Sequence, residues 1–241
     1  MTKLDRYRIA ETEIGIRSPY EVHRSFCKDY VSSDNEIPEL IIDVTEEDIK
    51  KEFSNYKTYT PTPEGASLSL IFRKLSEYII KKGGFMMHSA VIEYGGRAYA
   101  FTAPSGTGKS THIKNWRKLL GDRINIVNGD KPIIIRKNGI FYACGTPWAG
   151  KEGWQRNVCI PLGGICRIKR GSENRIRGLT SGDCAEIVLA ATFIPNETEL
   201  LVTLLDSVDE FSASVPAYEL YCTADEISAV VSFEAMTGDN I

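Results

Sequence analysis

Residues 103 to 110 read Ala103-Pro104-Ser105-Gly106-Thr107-Gly108-Lys109-Ser110. They lie between an apolar, strand-like run over residues 97–102 and a helix-like run over residues 111–120. In such a loop, backbone N–H groups can surround phosphate oxygens, and the following helix begins with its positive dipole end facing them. Lys109 is placed to reach the β- and γ-phosphates, and Ser110 to ligate Mg²⁺. The pattern predicts nucleotide phosphate binding, rather than a plain glycine-rich turn, by Ser105, Gly106, Thr107, Gly108, Lys109, Ser110 and Thr111.

The composition is that of an ordinary globular protein. The chain has 241 residues, of which 42% are hydrophobic and 25% charged, and its net charge is −3. This length fits one large domain with a full core. The small net charge gives no indication of a nucleic-acid-binding or membrane-binding surface. Apolar stretches are short and interrupted and no signal peptide opens the chain, so we expect a cytoplasmic protein.

The six cysteines show no C-x-x-C spacing, and most lie in apolar runs. A cysteine in such a run behaves as a small buried hydrophobic residue. We therefore expect structural thiols rather than a zinc site or a disulfide framework. The three histidines, at positions 23, 88 and 112, are too scattered to indicate a metal cage.

Local patterns predict the order of helices and strands along the chain. Strands are expected over residues 6–10, 13–17 and 40–44, a helix beginning at Thr45, a break at 57–63, and a helix over 64–82 that ends at Gly83-Gly84. Further strands are expected over 124–127, 132–136, 140–144, 162–169, 175–179 and 213–222, and helices over 181–192 and 197–206. Thr223-Ala224-Asp225-Glu226 has the pattern of a capping box that opens a final helix. We expect an N-terminal part, 1–84, packed on a nucleotide-binding core, 85–241, in one continuous domain.

A predicted β-hairpin leads into the glycine-rich loop. Strand-like runs over residues 89–94 and 97–102 are joined by Gly95-Gly96. In most P-loop proteins the strand before the loop lies in a parallel sheet and is reached through crossover helices. Here it is the second strand of an antiparallel pair. The predicted fold class is α/β, with a mixed, twisted sheet around the P-loop helix.

Four residues outside the loop are candidates for chemistry. Asp130 follows the apolar strand 124–127, where an acid that binds a metal or accepts a proton belongs, although Asn128-Gly129-Asp130 also suits a plain turn. His88 immediately precedes the hairpin, and a lone histidine is more often structural. Lys151 and Glu152 lie in a loop with three glycines, where close approach to a phosphate or metal is sterically possible, but they equally suit a solvated charge pair.

Other residues are harder to rank from the sequence. Trp148 could stack on a ligand, but packing in the core is the favoured interpretation. Several arginines could stabilise a transition state, and the sequence does not distinguish among them: Arg136, Arg156, Arg167, Arg175 and Arg177.

The order of His88, hairpin, Ser105-Gly106-Thr107-Gly108-Lys109-Ser110 and strand-end Asp130 resembles the catalytic core of HPr kinase/phosphorylase, which is shared with ATP-dependent phosphoenolpyruvate carboxykinase. The wider run through Asn128-Gly129-Asp130-Lys131-Pro132 and residues 145–151 resembles small bacterial HPr-kinase-like proteins, some of them associated with peptide-tailoring gene clusters. The resemblance covers roughly residues 85–175. The chain is about half as long as a carboxykinase and lacks a motif for its additional domain, so a decarboxylating activity is not expected.

The resemblance implies roles for the candidate residues. Lys109 would hold phosphates, Ser110 would help to hold Mg²⁺, and His88 with Asp130 would serve the reacting hydroxyl. HPr kinases carry two adjacent acids at the strand end, whereas here the first position is Gly129. Glu152 is the nearest substitute for a second acid on the metal side, which makes Ser110, Asp130 and Glu152 the predicted metal ligands.

Three functional hypotheses follow. The first is an ATP- and Mg²⁺-dependent kinase that phosphorylates a hydroxyl, with serine of a peptide or protein as the favoured acceptor and Asp130, His88 and Lys151 as catalytic residues. The second is a nucleotide-binding regulatory or scaffold protein that has lost catalysis, because Gly129 replaces an acid. The third is a small-molecule kinase, for example one that acts on free serine. HPr kinases assemble into hexamers, so the resemblance also makes a homo-oligomer plausible.

Overall fold

The structure, a computed structural model, describes residues 3–33, 35–54 and 61–241. Three strands form a small separate sheet: β1 (Asp5–Ile9), β2 (Thr12–Arg17) and β3 (Leu40–Asp43). β1 pairs antiparallel with β2, and β3 pairs parallel with β2. Between β2 and β3 lie α1 (Val22–Phe26) and a 3₁₀ turn (Lys28–Tyr30).

Two helices connect this sheet to the rest of the chain. α2 (Glu46–Phe53) begins at a capping box in which Thr45 and Asp48 hydrogen-bond each other's backbone N–H groups. α3 (Pro63–Lys81) begins after Thr62, which caps it, and the chain leaves it through Gly83 in the left-handed region. Of the predicted break at 57–63, residues 57–60 lie outside the described residues.

A nine-stranded mixed sheet forms the centre of the molecule. Its strands are β4 (Phe85–Met86), β5 (Ala90–Tyr94), β6 (Arg97–Thr102), β7 (Ile124–Asn128), β8 (Ile133–Lys137), β9 (Ile140–Cys144), β10 (Cys159–Arg170), β11 (Arg175–Gly178) and β12 (Ala217–Cys222). The order is β4-β8-β9-β10-β6-β5-β7, with β12 also beside β10 and β11 beside β12. β10 pairs antiparallel with β9 but parallel with β6 and β12. A register shift between Leu162 and Gly164 curls the sheet where β10 passes from one partner to the next.

Helices cover both faces of this sheet: α4 (Lys109–Leu120), α5 (Ser181–Ala191), α6 (Thr198–Ser214) and α7 (Ile227–Thr237). The buried side chains of α4 and α7 share one core with β5, β6, β10 and β12, around Trp116 and Phe233. Those of α5 and α6 share a second core with the opposite face, around Phe211. The N-terminal strands pack with α3 in a third core, which extends to Trp148 of the central part.

Two predictions near the C-terminus are wrong. The strand expected over 213–222 begins only at Ala217, because α6 continues to Ser214 with Val208 and Phe211 buried on its core face. The predicted capping box at Thr223 does not form: the last helix begins after Glu226, whose side chain pairs with Lys118 instead. Thr223 instead donates its backbone N–H to the side chain of Asn174, which is distant in sequence.

The expectation that all six cysteines are free is also wrong. Cys144 and Cys159 form a disulfide. They are direct cross-strand partners in the antiparallel β9–β10 pair, with Cα atoms 4.1 Å apart, so the strand pairing brings the two thiols together. The remaining four cysteines are free, and all but Cys222 are buried. Within the described ranges, no helix has the length and apolar character to cross a membrane.

Candidate active site

The sheet topology brings the three candidate segments to one edge. The glycine-rich loop follows the end of β6, and His88 lies just before the start of β5, its antiparallel partner. β7 also runs antiparallel to β5, so its end, followed by Asp130, lies at the same edge. Two hydrogen bonds tie the segments together: Ser89 N–H to Asp130 O at 2.9 Å, and Thr102 Oγ1 to His88 O at 3.0 Å. The hairpin into the loop, predicted from the sequence, is confirmed.

The loop has the backbone shape that its sequence requires. Gly106 (φ +77°) and Gly108 (φ +122°) both lie in the region that glycine favours. α4 then begins at Lys109. Arg170, at the end of β10, donates from Nη2 to Gly106 O at 2.6 Å and from Nε to Thr107 O at 3.4 Å. Arg170 therefore holds the loop through the carbonyl oxygens of the two residues that precede Gly108.

Lys109 carries a buried ammonium group without a partner. Its Nζ is inaccessible to solvent and makes no hydrogen bond or ion pair within the described part of the chain. Burial lowers the pKa of Lys109, and the nearby Asp130 carboxylate opposes that shift. An unpaired buried cation costs free energy, which an anion bound beside it would offset. The side chain is thus preorganised for a negatively charged ligand.

His88 and Asp130 form a pair. His88 Nε2 and Asp130 Oδ1 are 3.0 Å apart, and both side chains are half-buried. Burial alone would raise the pKa of Asp130, but the hydrogen bond from His88 and the positive charges of His88, Lys131 and Lys109 outweigh it and hold the pKa below its ordinary value. Asp130 Oδ2 accepts no hydrogen bond from any described residue. The carboxylate is therefore ionised, oriented by His88, and has one oxygen available.

Asn128, rather than Asp130, makes the turn in Asn128-Gly129-Asp130. Its Oδ1 accepts from the backbone N–H groups of Asp130 (2.9 Å) and Lys131 (2.8 Å), and its Nδ2 donates to Thr146 O at 2.9 Å. Asn128 is completely buried. The alternative interpretation of Asp130 as the turn residue therefore does not hold, because its side chain is directed to His88 instead.

Gly129 has no room for a side chain. A Cβ at this position would lie 2.7 Å from Ala149 O and 3.5 Å from Trp154 Cβ. The backbone N–H of Gly129 donates to Trp154 O at 2.9 Å. The loop between β9 and β10 thus packs directly on this position. In this chain, glycine at 129 is a requirement of that packing.

The same loop presents Lys151 and Glu152. Both are exposed, and Lys151 makes no ion pair with any described residue. Glu152 Oε1 accepts from Lys114 Nζ on α4 at 3.0 Å, and no contact joins it to Asp130. A metal-binding role for Glu152 remains a prediction, and it would require this pair with Lys114 to open. Trp148, by contrast, is a core residue, 8% exposed and in contact with the rings of Phe26 and Phe72.

A cavity of about 570 Å³ collects these groups. Its lining includes His88, Asp130, Lys151, Glu152 and six of the seven predicted loop residues: Ser105, Gly106, Gly108, Lys109, Ser110 and Thr111. Thr107 faces the adjoining cavities instead. All the predicted site residues are therefore neighbours around one loop.

The donors in this cavity suit a hard divalent cation. The Ser110 hydroxyl and the Asp130 carboxylate both line it, and oxygen ligands of these kinds are the ones that Mg²⁺ binds. The described residues contain no cluster of three or more His, Cys, Asp or Glu side chains that could hold a metal. A protein contribution of one or two oxygens is usual for Mg²⁺ where substrate phosphates and water supply the rest.

Arg170 is the functional candidate that the sequence analysis missed, because only the pairing of β10 with β6 brings it to the loop. All five arginines considered before have acidic partners elsewhere. Arg136 pairs with Glu210, Arg156 with Glu93, and Arg167 and Arg177 with Glu219. Arg175 pairs with Glu173 at 3.7 Å and stacks on Tyr221. None of the five lines the cavity.

No protein-family model matches the sequence, and no curated protein is significantly similar to it. Among solved structures, the fold is similar to that of the Hpr(Ser) kinase/phosphatase from Coxiella burnetii, with a TM-score of 0.38 and 9% sequence identity. The match covers 64% of this chain and 99% of that one. The relationship is structural and distant.

Proposed function

We propose that this protein is a kinase that transfers the γ-phosphoryl group of ATP, with Mg²⁺, to a hydroxyl group, with serine of a peptide or protein as the favoured acceptor. One observation carries the proposal. A buried, unpaired ammonium group, Lys109, lies at the start of a helix and lines the same cavity as an ionised carboxylate, Asp130. A bound phosphate would pair with the ammonium group of Lys109, and an acceptor hydroxyl would donate to the carboxylate of Asp130.

In this proposal the backbone N–H groups of the loop and Lys109 bind the triphosphate, and the positive end of α4 faces it. Bound Mg²⁺ would supply charge neutralisation to the transferring group. Ser110 would be its protein ligand and phosphate oxygens and water would supply the rest, because the one available oxygen of Asp130 serves the acceptor hydroxyl. Lys151 is free to approach the same charge from an exposed loop, since no described residue pairs with it.

The transfer step balances with groups of this chain. The acceptor oxygen forms a new bond to the γ-phosphorus, and the bond between that phosphorus and the bridging oxygen breaks, with its electron pair leaving on ADP. The proton of the acceptor hydroxyl passes to Asp130 Oδ2, while His88 Nε2–H holds Oδ1. A carboxylate with a low pKa is a weak base, which suits a loose transition state in which proton transfer is late.

The test is calorimetric titration with ATP and a non-hydrolysable analogue, with and without Mg²⁺, followed by analysis of the ATP sample for ADP. We expect Mg²⁺-dependent binding and slow ADP formation by the wild type. Lys109→Met should abolish binding, whereas Lys118→Met, an exposed change on the same helix, should leave it intact. Asp130→Asn should bind ATP but form no ADP, and the exposed Asp122→Asn serves as its control. If Lys109→Met binds ATP as well as the wild type does, the proposal is wrong.

A second candidate function is favoured by Gly129. The position of the missing acid is closed by the backbone of Ala149, so the chain has no direct route back to the two-acid arrangement. The protein would then be a nucleotide-binding regulatory or scaffold protein without turnover. Tight ATP binding with no ADP formation, in the presence of any hydroxyl acceptor tested, would favour it. ADP formation that depends on Asp130 would exclude it.

A further inference from the structure

A second cavity lies on the other side of the glycine-rich loop. Its volume is about 440 Å³. Gly106, Gly108 and Thr111 line both this cavity and the one that contains Asp130, so the two cavities adjoin along the loop. A ligand whose phosphates lie on the loop would therefore have the second cavity open to its other end.

The lining of the second cavity differs from that of the first. Its floor consists of Ile168, Cys222 and His112, and burial lowers the pKa of His112 to about 3, so this ring is neutral. Among the described residues that line it, Arg170 is the only lysine or arginine, and its guanidinium is already bonded to loop carbonyls. A mostly uncharged recess of this size suits a planar heteroaromatic group with its sugar, and offers little to a further phosphate.

One wall is a turn that is fixed before any ligand arrives. The turn contains Thr223 and Ala224, and follows β12. Asn174 Oδ1 accepts from Thr223 N at 3.1 Å, and its Nδ2 donates to Thr223 Oγ1 at 3.1 Å and to Asp225 Oδ1 at 3.0 Å. From the other side, Asn115 Nδ2 donates to Ala224 O at 3.2 Å and Asp225 O at 2.8 Å. Two asparagines thus hold the turn between them, and only Asn115 lines the cavity.

We propose that this second cavity binds the nucleoside of the phosphoryl donor, and that Asn174 is a positioning residue that fixes its wall without touching the ligand. The inference rests on the proposed function in that the donor phosphates lie on the loop. It goes further in naming the cavity that takes the nucleoside, and in assigning the network around Thr223 to its selection. Inorganic polyphosphates would use the loop alone.

The experiment compares ATP with inorganic tripolyphosphate, each titrated calorimetrically in excess Mg²⁺. We expect the wild type to bind ATP at least about tenfold more tightly than tripolyphosphate, because only ATP fills the second cavity. Asn174→Ala should weaken ATP binding about tenfold and leave tripolyphosphate binding unchanged, since it releases the hydrogen-bonded wall and not the loop. Asn125→Ala is the matched control, because Asn125 is exposed on β7 and lines neither cavity.

The outcomes separate the two proposals. Equal binding of ATP and tripolyphosphate by the wild type would overturn the nucleoside site while leaving the phosphate loop intact. An equal loss of both ligands in Asn174→Ala would overturn the positioning role. If neither ligand binds to the wild type, the proposed function itself fails.

Cysteine labelling provides a second measurement that needs no variant. Cys222 lines the second cavity and is partly exposed, whereas Cys27, Cys166 and Cys184 are buried. Saturating ATP should slow maleimide labelling of Cys222, located by peptide mass spectrometry, about tenfold or more, and saturating tripolyphosphate should not. The same labelling rate with and without bound ATP would overturn the inference.

Discussion

Gly129→Ala tests the packing that excludes a second acid from the site. The added Cβ would lie 2.7 Å from Ala149 O, whereas carbon–oxygen contacts settle at about 3.3 Å or more. The obstacle is backbone, held in place by the hydrogen bonds from Gly129 N to Trp154 O and from Lys131 N to Trp148 O. A shift of about 0.6 Å therefore has to involve the whole loop between β9 and β10.

Overpacking of this kind costs typically about 1–3 kcal/mol. Taking the middle of that range, we expect Gly129→Ala to lower the free energy of unfolding by about 2 kcal/mol, and the melting temperature by roughly 4–8 °C for a chain of this length. The assay is urea unfolding followed by tryptophan fluorescence, with Gly178→Ala as the matched control. A Cβ at Gly178 meets nothing within 4 Å, so that variant should stay within about 0.5 kcal/mol of the wild type.

The same reasoning applies to Gly129→Asp, which would appear from sequence comparison to restore an acid. It should destabilise the protein at least as much as Gly129→Ala and should not increase any ADP formation, because Ala149 and the rest of the loop tip would be displaced from Asp130. If Gly129→Ala unfolds at the same urea concentration as the wild type, the loop is not packed as described and the explanation for the missing acid is wrong.

Three further predictions concern stability. Glu219 is fully buried among Arg167, Lys169 and Arg177, and although burial opposes ionisation, their hydrogen bonds lower its pKa from 4.5 to about 2. The contribution of the ionised Glu219 to the free energy of unfolding is therefore complete above about pH 4.5 and lost as the pH falls towards 2. Glu219→Gln should lower that free energy by about 2 kcal/mol at pH 7 and by much less at pH 3, measured by urea unfolding at both pH values. An equal difference at both pH values would contradict this. Lys109→Met should stabilise the ligand-free protein by about 1 kcal/mol in the same assay, because it removes an unpaired buried charge, and a loss of stability would show that the ammonium group has a partner. Reduction of the disulfide, which closes a segment of 15 residues, should lower the unfolding free energy by about 2–3 kcal/mol, compared before and after dithiothreitol with thiol counting; an unchanged midpoint would contradict it.

Patterns within a short stretch were read correctly from the sequence where nothing distant competes with them. The capping box at Thr45 forms because the nearest partner for its hydroxyl is the N–H of Asp48. A similar pattern at Thr223 does not form, because Asn174, 49 residues earlier, accepts the Thr223 N–H and donates to its hydroxyl. The two motifs are locally alike, and only the pairing of β11 with β12 decides between them.

The missed features of the site have the same origin. Arg170 reaches the loop, and Cys144 meets Cys159, only through the partners of β10 in the sheet. The closed position at Gly129 depends on a loop some 20 residues further along the chain. Strand order cannot be deduced from the spacing of apolar residues, so these contacts were beyond local patterns, whereas the loop, His88 and Asp130 were found because their chemistry is carried by residue type.

The antiparallel hairpin explains how the site can be assembled from so short a sequence. In a purely parallel sheet, one edge receives only residues that follow strands, and each further contribution requires another crossover connection. Here β5 runs opposite to both β6 and β7, so the residue before β5 joins the residues after the other two strands at one edge. His88 can therefore pair with Asp130 although the loop and α4 lie between them in sequence.

It also follows that the register of β5 matters to the chemistry: a slip of one residue would turn every side chain of that strand to the opposite face and change where the segment before it leaves the sheet. The bonds from Ser89 N to Asp130 O and from Thr102 Oγ1 to His88 O fix that register at the edge where the site is formed.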